Sequence, residues 1–309
     1  MSSLMTNNAA MVALQTLRTI NMGLDEANNR VSTGLRINSA ADNAAYWSIA
    51  TTTKSDNSSL GTVVDALGLG AAAIDVATQG LLAVKESLEA IKDLLVTALE
   101  PGVDRAKIQE DIGARIADLA SKADASTFNN DNWLSVDSAA AGYNATKSVV
   151  ASYTRTGATI TVGTIDMDIS TIALYDPAGA GPAVGILDQG RTSGGTTVAI
   201  VDIDISALTD GAADLTTINE TLQIAQEALD EVVAALTVVG ASQSRVTSQL
   251  TFVRALIDAN DRAVGTLIDA NMEQESTKLR ALQTQQQLAV QSLSIANAST
   301  QNILLLFRQ

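Results

Sequence analysis

The chain has 309 residues, 46% of them hydrophobic but only 3% aromatic, and a formal charge of −15. It contains neither Cys nor His, which excludes disulfides, thiolate nucleophiles, the usual zinc sites and any catalytic triad with a histidine base. Its acidity leaves nothing to neutralise phosphates, so neither nucleic acid nor an anionic membrane surface is an expected partner.

The opening residues carry no basic segment followed by a continuous apolar one, so no cleavable secretory signal is expected. No apolar run reaches membrane-spanning length. Apolar residues then recur with 4-3 spacing at Ala10, Leu14, Leu17, Leu24, Val31 and Leu35, with Asn21 and Asn28 inside the stripe. This is coiled-coil-like and predicts a first helix over 6–33, ended by Gly34.

A second helix is predicted from about Asn43, with Asp42 or Asn43 as its cap. Its stripe runs Leu60, Val64, Leu67, Ala71, Ile74, Thr78, Leu81 and slips once, to Val84, before Leu88, Ile91, Leu95 and Ala98. The segment EPGVD ends it, because Pro101 disfavours helix at Glu100 and Gly102 permits a turn. Within this helix, GLGAAA (68–73) is similar to part of a phosphate-binding loop. It lacks the preceding strand and the Lys-Ser/Thr ending, so close packing is the better reading. A third helix follows over 104–125, and STFNNDNWL closes it with turn-forming residues.

The stretch 136–210 differs in kind, being rich in Gly, Thr, Ser and Asp. ATITVG, IDMDIS (165–170) and VDIDIS (201–206) alternate like strands, which predicts a small β-rich insertion. Asp166, Asp168, Asp202 and Asp204 would line one face if the last two pieces paired. Such a face would attract Ca²⁺, although EF-hand spacing is absent, and a solvated acidic face is the simpler expectation.

From Leu215 to Leu267 the 4-3 spacing is unusually regular, with only Gln243 and Asn260 polar. A helix of that length would exceed roughly 70 Å at about 1.5 Å per residue. The register fails near Asn271, and a last stripe includes Leu282, Ala289, Leu293, Ile303 and Phe307. The terminal segments are apolar on more than one side: Leu288 and Val290 flank Ala289, and Leu304 to Phe307 run without a break. One partner helix cannot cover such a surface, so other subunits are expected to bury it. A head-to-tail contact that does not close yields a helical filament. Carboxylate pairs such as Glu110 with Asp111 read as solvated helix faces, so no enzyme, cofactor or metal is expected. The fold class expected is mainly α: a long antiparallel coiled-coil-like bundle of N- and C-terminal regions with a small β-rich insertion.

TNNAAMVALQTL, RVSTGLRINSAADNAA (30–45), STFNNDNWL and the closing STQNILLLFRQ together resemble the bacterial flagellin signatures in order and spacing, over about 1–136 and 211–309. NAAYWSIATT is closer to flagellins of rhizobia and their relatives than to enteric ones. The resemblance implies a structural subunit of an extracellular flagellar filament, exported unfolded through the flagellar type III apparatus. It implies an N-terminal inner-tube helix and connector (1–43), N-terminal shell helices (44–135), a surface-exposed variable domain (136–210), a C-terminal shell helix (211–270) and a C-terminal inner-tube helix (271–309). Partners implied are further copies, other flagellins, an export chaperone, and junction and cap proteins. Subunit packing is expected at Leu14, Leu17, Leu24, Val31, Leu35, Arg36, Tyr46, Trp47, Leu293, Ile303, Leu304 and Phe307, with Arg36 making a polar contact across subunits. Flagellins recognised by the animal innate receptor carry an Arg and a Gln where this chain has Ala90 and Thr97, while Leu94 is retained, so weak recognition is implied. A hook–filament junction protein shares similar termini, and a calcium-binding adhesin is a rival from another class.

Overall fold

The structure, a computed structural model, describes residues 7–157, 159–176 and 185–306, with side chains as far as 298. Five helices hold most of the chain: α1 (Asn8–Thr33), α2 (Ala44–Ala98), α3 (Arg105–Ala125), α4 (Ala212–Ile268) and α5 (Met272–Leu306). Six strands lie between α3 and α4: β1 (Thr127–Phe128), β2 (Asp131–Asn132), β3 (Thr146–Thr156), β4 (Thr159–Asp168), β5 (Arg191–Ser193) and β6 (Thr196–Val198). The chain divides into two compact units, Met1–Ser58 with Ile257–Gln309, and Ser59–Leu256.

In the first unit α1 and α5 pair in opposite directions. Asn7 Nδ2 donates to Ala296 O, Gln286 Nε2 to Asn21 Oδ1, and Arg30 Nη1 to Glu275 Oε1. At Gly23 the pair leaves room for a side chain, since a Cβ there would make ordinary contact at 3.6 Å from the Leu282 methyls.

In the second unit the predicted stripes are buried. Leu67, Ile74, Leu81, Val84, Leu88, Ile91 and Leu95 of α2 are fully enclosed, as are Ile112 and Leu119 of α3 and Ile218, Val232, Val239 and Val246 of α4. The slip from Leu81 to Val84 costs no helix, because both residues stay inside. An 18-residue window of α2 reaches a mean hydropathy of 1.6, enough for a spanning segment on length and composition alone. The window is not an unbroken apolar run, since it contains Asp75. Gly70 of this helix sits so close to Val149 of β3 that a Cβ could not fit. The second glycine of GLGAAA therefore serves packing, with a strand as the neighbour, while a Cβ at Gly68 would meet nothing within 4 Å.

Helix α2 stops at Ala98, Gly102 turns the chain at φ 79°, and the Asp104 side chain accepts from Lys107 N to start α3. In the β1–β2 hairpin, Asn129 and Asn130 adopt φ of 49° and 64°. Both signs suit a two-residue turn whose twist matches the strands.

The β region departs from expectation at VDIDIS. IDMDIS ends β4, which pairs antiparallel with β3, so Asp166 lies opposite Ser148 and Asp168 opposite Thr146. VDIDIS forms no strand: a 3-10 turn covers Ile200–Asp202 and the following residues are extended. The alternation is nevertheless used, because Ile203 and Ile205 are buried while Asp202 and Asp204 are exposed. The missing ladder is replaced by one side chain. Gln109 of α3 donates Nε2 to Ile203 O at 2.7 Å and accepts from Ile205 N at 3.0 Å. The two aspartate pieces do not pair, so the opposed acidic face on which calcium binding rested does not form.

The carboxylates of this unit split by sign. Hydrogen bonds from Thr196 and from Gly195 N hold Glu220 below its ordinary range. Its contribution is present above about pH 4.3 and is lost as pH falls through its lowered folded value. Asp188 behaves oppositely. Burial pushes its carboxyl up, against the favourable N–H of Asp176, and the charges of Asp176 and Asp202 raise it further. An Asp188→Asn substitution keeps an acceptor for Asp176 N, now 2.7 Å from Asp188 Oδ2. It should raise the melting midpoint at pH 7 by about 1–3 °C. The gain should fade as the pH falls through the raised folded value and be lost below about 3.9, where Asp188 becomes neutral in both states. Calorimetry at pH 7 and at pH 3.5 checks both halves.

Candidate assembly interface

The connector between α1 and α2 is built by local chemistry. Gly34 takes the left-handed conformation at φ 71° and donates its N–H to Arg30 O, closing α1. Asp42 accepts from Asn38 N, Ser39 N and the Ser39 hydroxyl. The two N–H groups and the hydroxyl of Ser39 hold its carboxyl below the usual range. Of the two predicted caps, Asn43 is the one used, accepting from Ala45 N and Tyr46 N at the start of α2.

The second break, between α4 and α5, lies against the first. Ala270 N donates to Gly34 O, Leu35 bridges Asp269, and the N–H groups of Arg36 and Ile37 both reach Ile268 O. Asn271 caps α5 through Glu273 N and Gln274 N. Beneath this backbone pairing Ile37, Ala50, Val264 and Ile268 form a buried cluster, flanked by Leu35 and Leu267. The sequence showed two separate breaks; that they pair with one another was not read from it. The available signal was that both fall where an apolar stripe fails, at Gly34 and near Asn271.

Arg36 is exposed and spends one N–H on Leu267 O at 2.7 Å. The polar contact seen is thus within the chain, and its remaining N–H groups border a pocket with Arg30, Tyr46 and Asp42. Tyr46 and Trp47 are 43% and 38% exposed on the first turn of α2.

On the α1–α5 pair, Leu17, Leu24, Val31 and Leu293 are half-buried, and Leu35 is half-buried in the connector, while Leu14 is 40% exposed. The expected packing residues therefore divide. Most of the stripe serves contact inside the chain, and a second set points outward: Met11, Val12, Met22, Leu288, Val290 and Ile295 are 53–65% exposed. A groove of about 550 Å³ runs between the helices, lined by Val12, Ile20 and Leu288 among others. Ile303 and Leu304 lie on the backbone of α5 with side chains outside the described residues, and Phe307 lies outside them altogether. In the second unit Ala90 and Leu94 are half-buried on α2, and Thr97 is exposed with its hydroxyl donating to Asp93 O. Among the described residues no group of three or more acidic side chains converges as a metal site would require.

What this chain is similar to decides its family. The model of the bacterial flagellin N-terminal helical region matches residues 4–139, and that of the C-terminal helical region matches 222–307. Flagellin C of Rhizobium meliloti strain 1021 is 43% identical over 326 aligned residues covering both chains in full. The chain belongs to the bacterial flagellin family.

Flagellin A of the same strain is 38% identical over 399 aligned residues, and a flagellin of Brucella melitensis biotype 1 is 39% identical over 309, each with full coverage of both chains. A flagellin is a structural protein, not an enzyme, and builds a filament from many copies of itself. The helical ends matched by the family models contain the paired connectors and the outward apolar faces, so the shared part of a flagellin is the part with surface left to bury.

Proposed function

We propose that this flagellin polymerises with copies of itself into the filament that drives swimming, with 1–43 and 271–309 lining the inner tube, 44–135 and 211–270 forming the shell, and 136–210 facing outward. The observation that carries this reading is the apolar surface left on the α1–α5 pair, where Leu288, Val12 and Ile295 are each 60% exposed or more. A stable isolated chain gains nothing from such a face, whereas each large apolar side chain covered by a neighbour contributes about 1.5–3 kcal/mol. Export through the flagellar apparatus, a dedicated chaperone, and junction and cap proteins at the filament ends belong to the same proposal.

Purified chain added to sheared filament fragments should elongate them, as seen by electron microscopy. Fragments that acquire a single terminal layer and stop would indicate a junction protein instead.

Arg36, Tyr46 and Trp47 are proposed as the connector's contacts with a neighbouring subunit. Arg36→Ala should leave the melting midpoint within a few degrees, because the group is exposed, and should slow seeded elongation at least tenfold, which is about 1.4 kcal/mol of contact. Elongation at the normal rate would refute the assignment.

Ala90 and Thr97 offer neither the guanidinium nor the amide that the receptor-recognised flagellins present beside Leu94. In a cell reporter for the innate flagellin receptor, this chain should activate weakly or not at all. Swapping in Ala90→Arg together with Thr97→Gln should raise the response, and strong activation by the unmodified chain would overturn the expectation.

A further inference from the structure

The 4-3 repeat that makes α4 so regular also makes it ambiguous. Its apolar residues recur every seven positions, at Val246, Val253 and Leu267 and again at Leu250, Ile257 and Val264. A seam of this kind accepts a partner helix one heptad up or down with little loss of apolar contact, unless a polar group marks one alignment.

In the first unit such a mark exists. Asn57 of α2 donates Nδ2 to Ile257 O at 3.2 Å and to Asp261 Oδ1 at 2.7 Å. Its Oδ1 accepts from Asn260 Nδ2 at 2.8 Å. Both donors and one acceptor position of a half-buried amide are thus satisfied by groups of α4 spaced i, i+3 and i+4. Asn260 occupies the seam position where the heptads before and after place Val253 and Leu267.

A slip of α4 by one heptad in either direction would set Asn57 against Val253 or Leu267. In place of Asp261 it would meet Arg254, which has no acceptor, or Ile268. Either way the amide loses the partners that hold it, which costs free energy for the part of the group shielded from water.

We propose that Asn57 and Asn260 form a register pin that fixes α4 against α2 beside the connector. The pin contributes uniqueness of alignment more than strength, since an apolar pair in its place would pack the seam continuously. Uniqueness matters in a helical polymer, because each copy must present the same surfaces at the same spacing to the next. The alignment it fixes also brings Ile268 to the N–H groups of Arg36 and Ile37.

The chain has no cysteine, so nitroxide labels can be placed cleanly at K54C and R262C, both exposed. Pulsed electron paramagnetic resonance on the otherwise native monomer should show one distance population. Asn57→Leu with Asn260→Leu should keep helicity and melt within a few degrees of the labelled parent, yet add a second population from an axial offset of about 10 Å, one heptad of helix. A single unshifted population would overturn the proposal. Should the double variant fail to fold, Asn260→Ala replaces it; a second population there supports the pin, and a single one overturns it. The measurement is made on the monomer and does not depend on whether filaments grow.

Discussion

Arg105→Ala should lower the stability of the 59–256 unit by about 1.5–3 kcal/mol, the range for hydrogen bonds made by a charged donor, and its melting midpoint by roughly 3–12 °C. The guanidinium is 5% exposed. Its Nε donates to Ala98 O at 2.9 Å, taking up one of the carbonyls that the end of α2 leaves unpaired. Its Nη2 lies 2.8 Å from Asp210 Oδ1, two residues before α4, and the other oxygen of that carboxylate accepts from Gly102 N. One side chain at the first residue of α3 therefore ties the end of α2, the Pro101–Gly102 turn and the entry to α4. The Arg105 hydrogen bond, then the N–H of Gly102, holds the Asp210 carboxyl below its ordinary range. A lowered carboxylate stabilises above about pH 3.9 and ceases to do so as pH falls through its folded value. The penalty of Arg105→Ala should accordingly shrink as the pH falls below about 3.9. Arg105→Lys keeps the charge but cannot reach two acceptors with a fixed fork, and should recover only part of the loss. Urea denaturation at pH 7 and pH 3.5 measures all of this; an unchanged midpoint in Arg105→Ala would contradict it.

What was legible in the sequence is what short-range chemistry decides. Gly34, Asn43, Asp104 and Asn271 mark helix ends because a left-handed residue or a side-chain oxygen there acts within three or four positions. The stripes were legible because a period of 3.5 survives any detail of packing: Leu67, Ile74, Leu81 and Leu88 are buried as the pattern requires. Arg105, Gln109 and Asn57 were not legible. Each acts on a backbone or carboxylate group brought near by the fold, in the last case 200 positions away. VDIDIS misled for the same reason. Its alternation marks which residues are buried, and nothing in it says whether the pairing partner is a strand or the amide of Gln109. The packing residues chosen from the terminal stripes met a related limit, since one periodic stripe cannot distinguish the face that meets its own chain from the face that meets another. Leu24 and Val31 serve the α1–α5 pair, while the outward face falls to Val12, Met22 and Leu288, all of which the stripe leaves out.

That outward face makes the sharpest separation between folding and assembly. Leu288→Glu should leave the monomer nearly unchanged and abolish seeded growth. Leu288 is 60% exposed, and Leu and Glu are both good helix formers, so the effect on α5 should stay within about 0.5 kcal/mol. In a filament the same position borders the groove with Val12 and Ile20, and a neighbour covering it would bury a carboxylate with no partner among these apolar groups. Losing the apolar contact alone removes about 1.5–3 kcal/mol per subunit. That raises the concentration needed for growth by roughly 10- to 100-fold at 1.4 kcal/mol per decade, before the stranded charge is considered. Leu288→Met, of similar volume and equally apolar, should still elongate seeds. Circular dichroism melts paired with sedimentation of seeded mixtures read both effects on the same samples. Filaments growing from Leu288→Glu at the normal threshold would mean that this face stays in water in the filament. The burial that drives polymerisation would then have to be sought around Tyr46 and Trp47 at the connector.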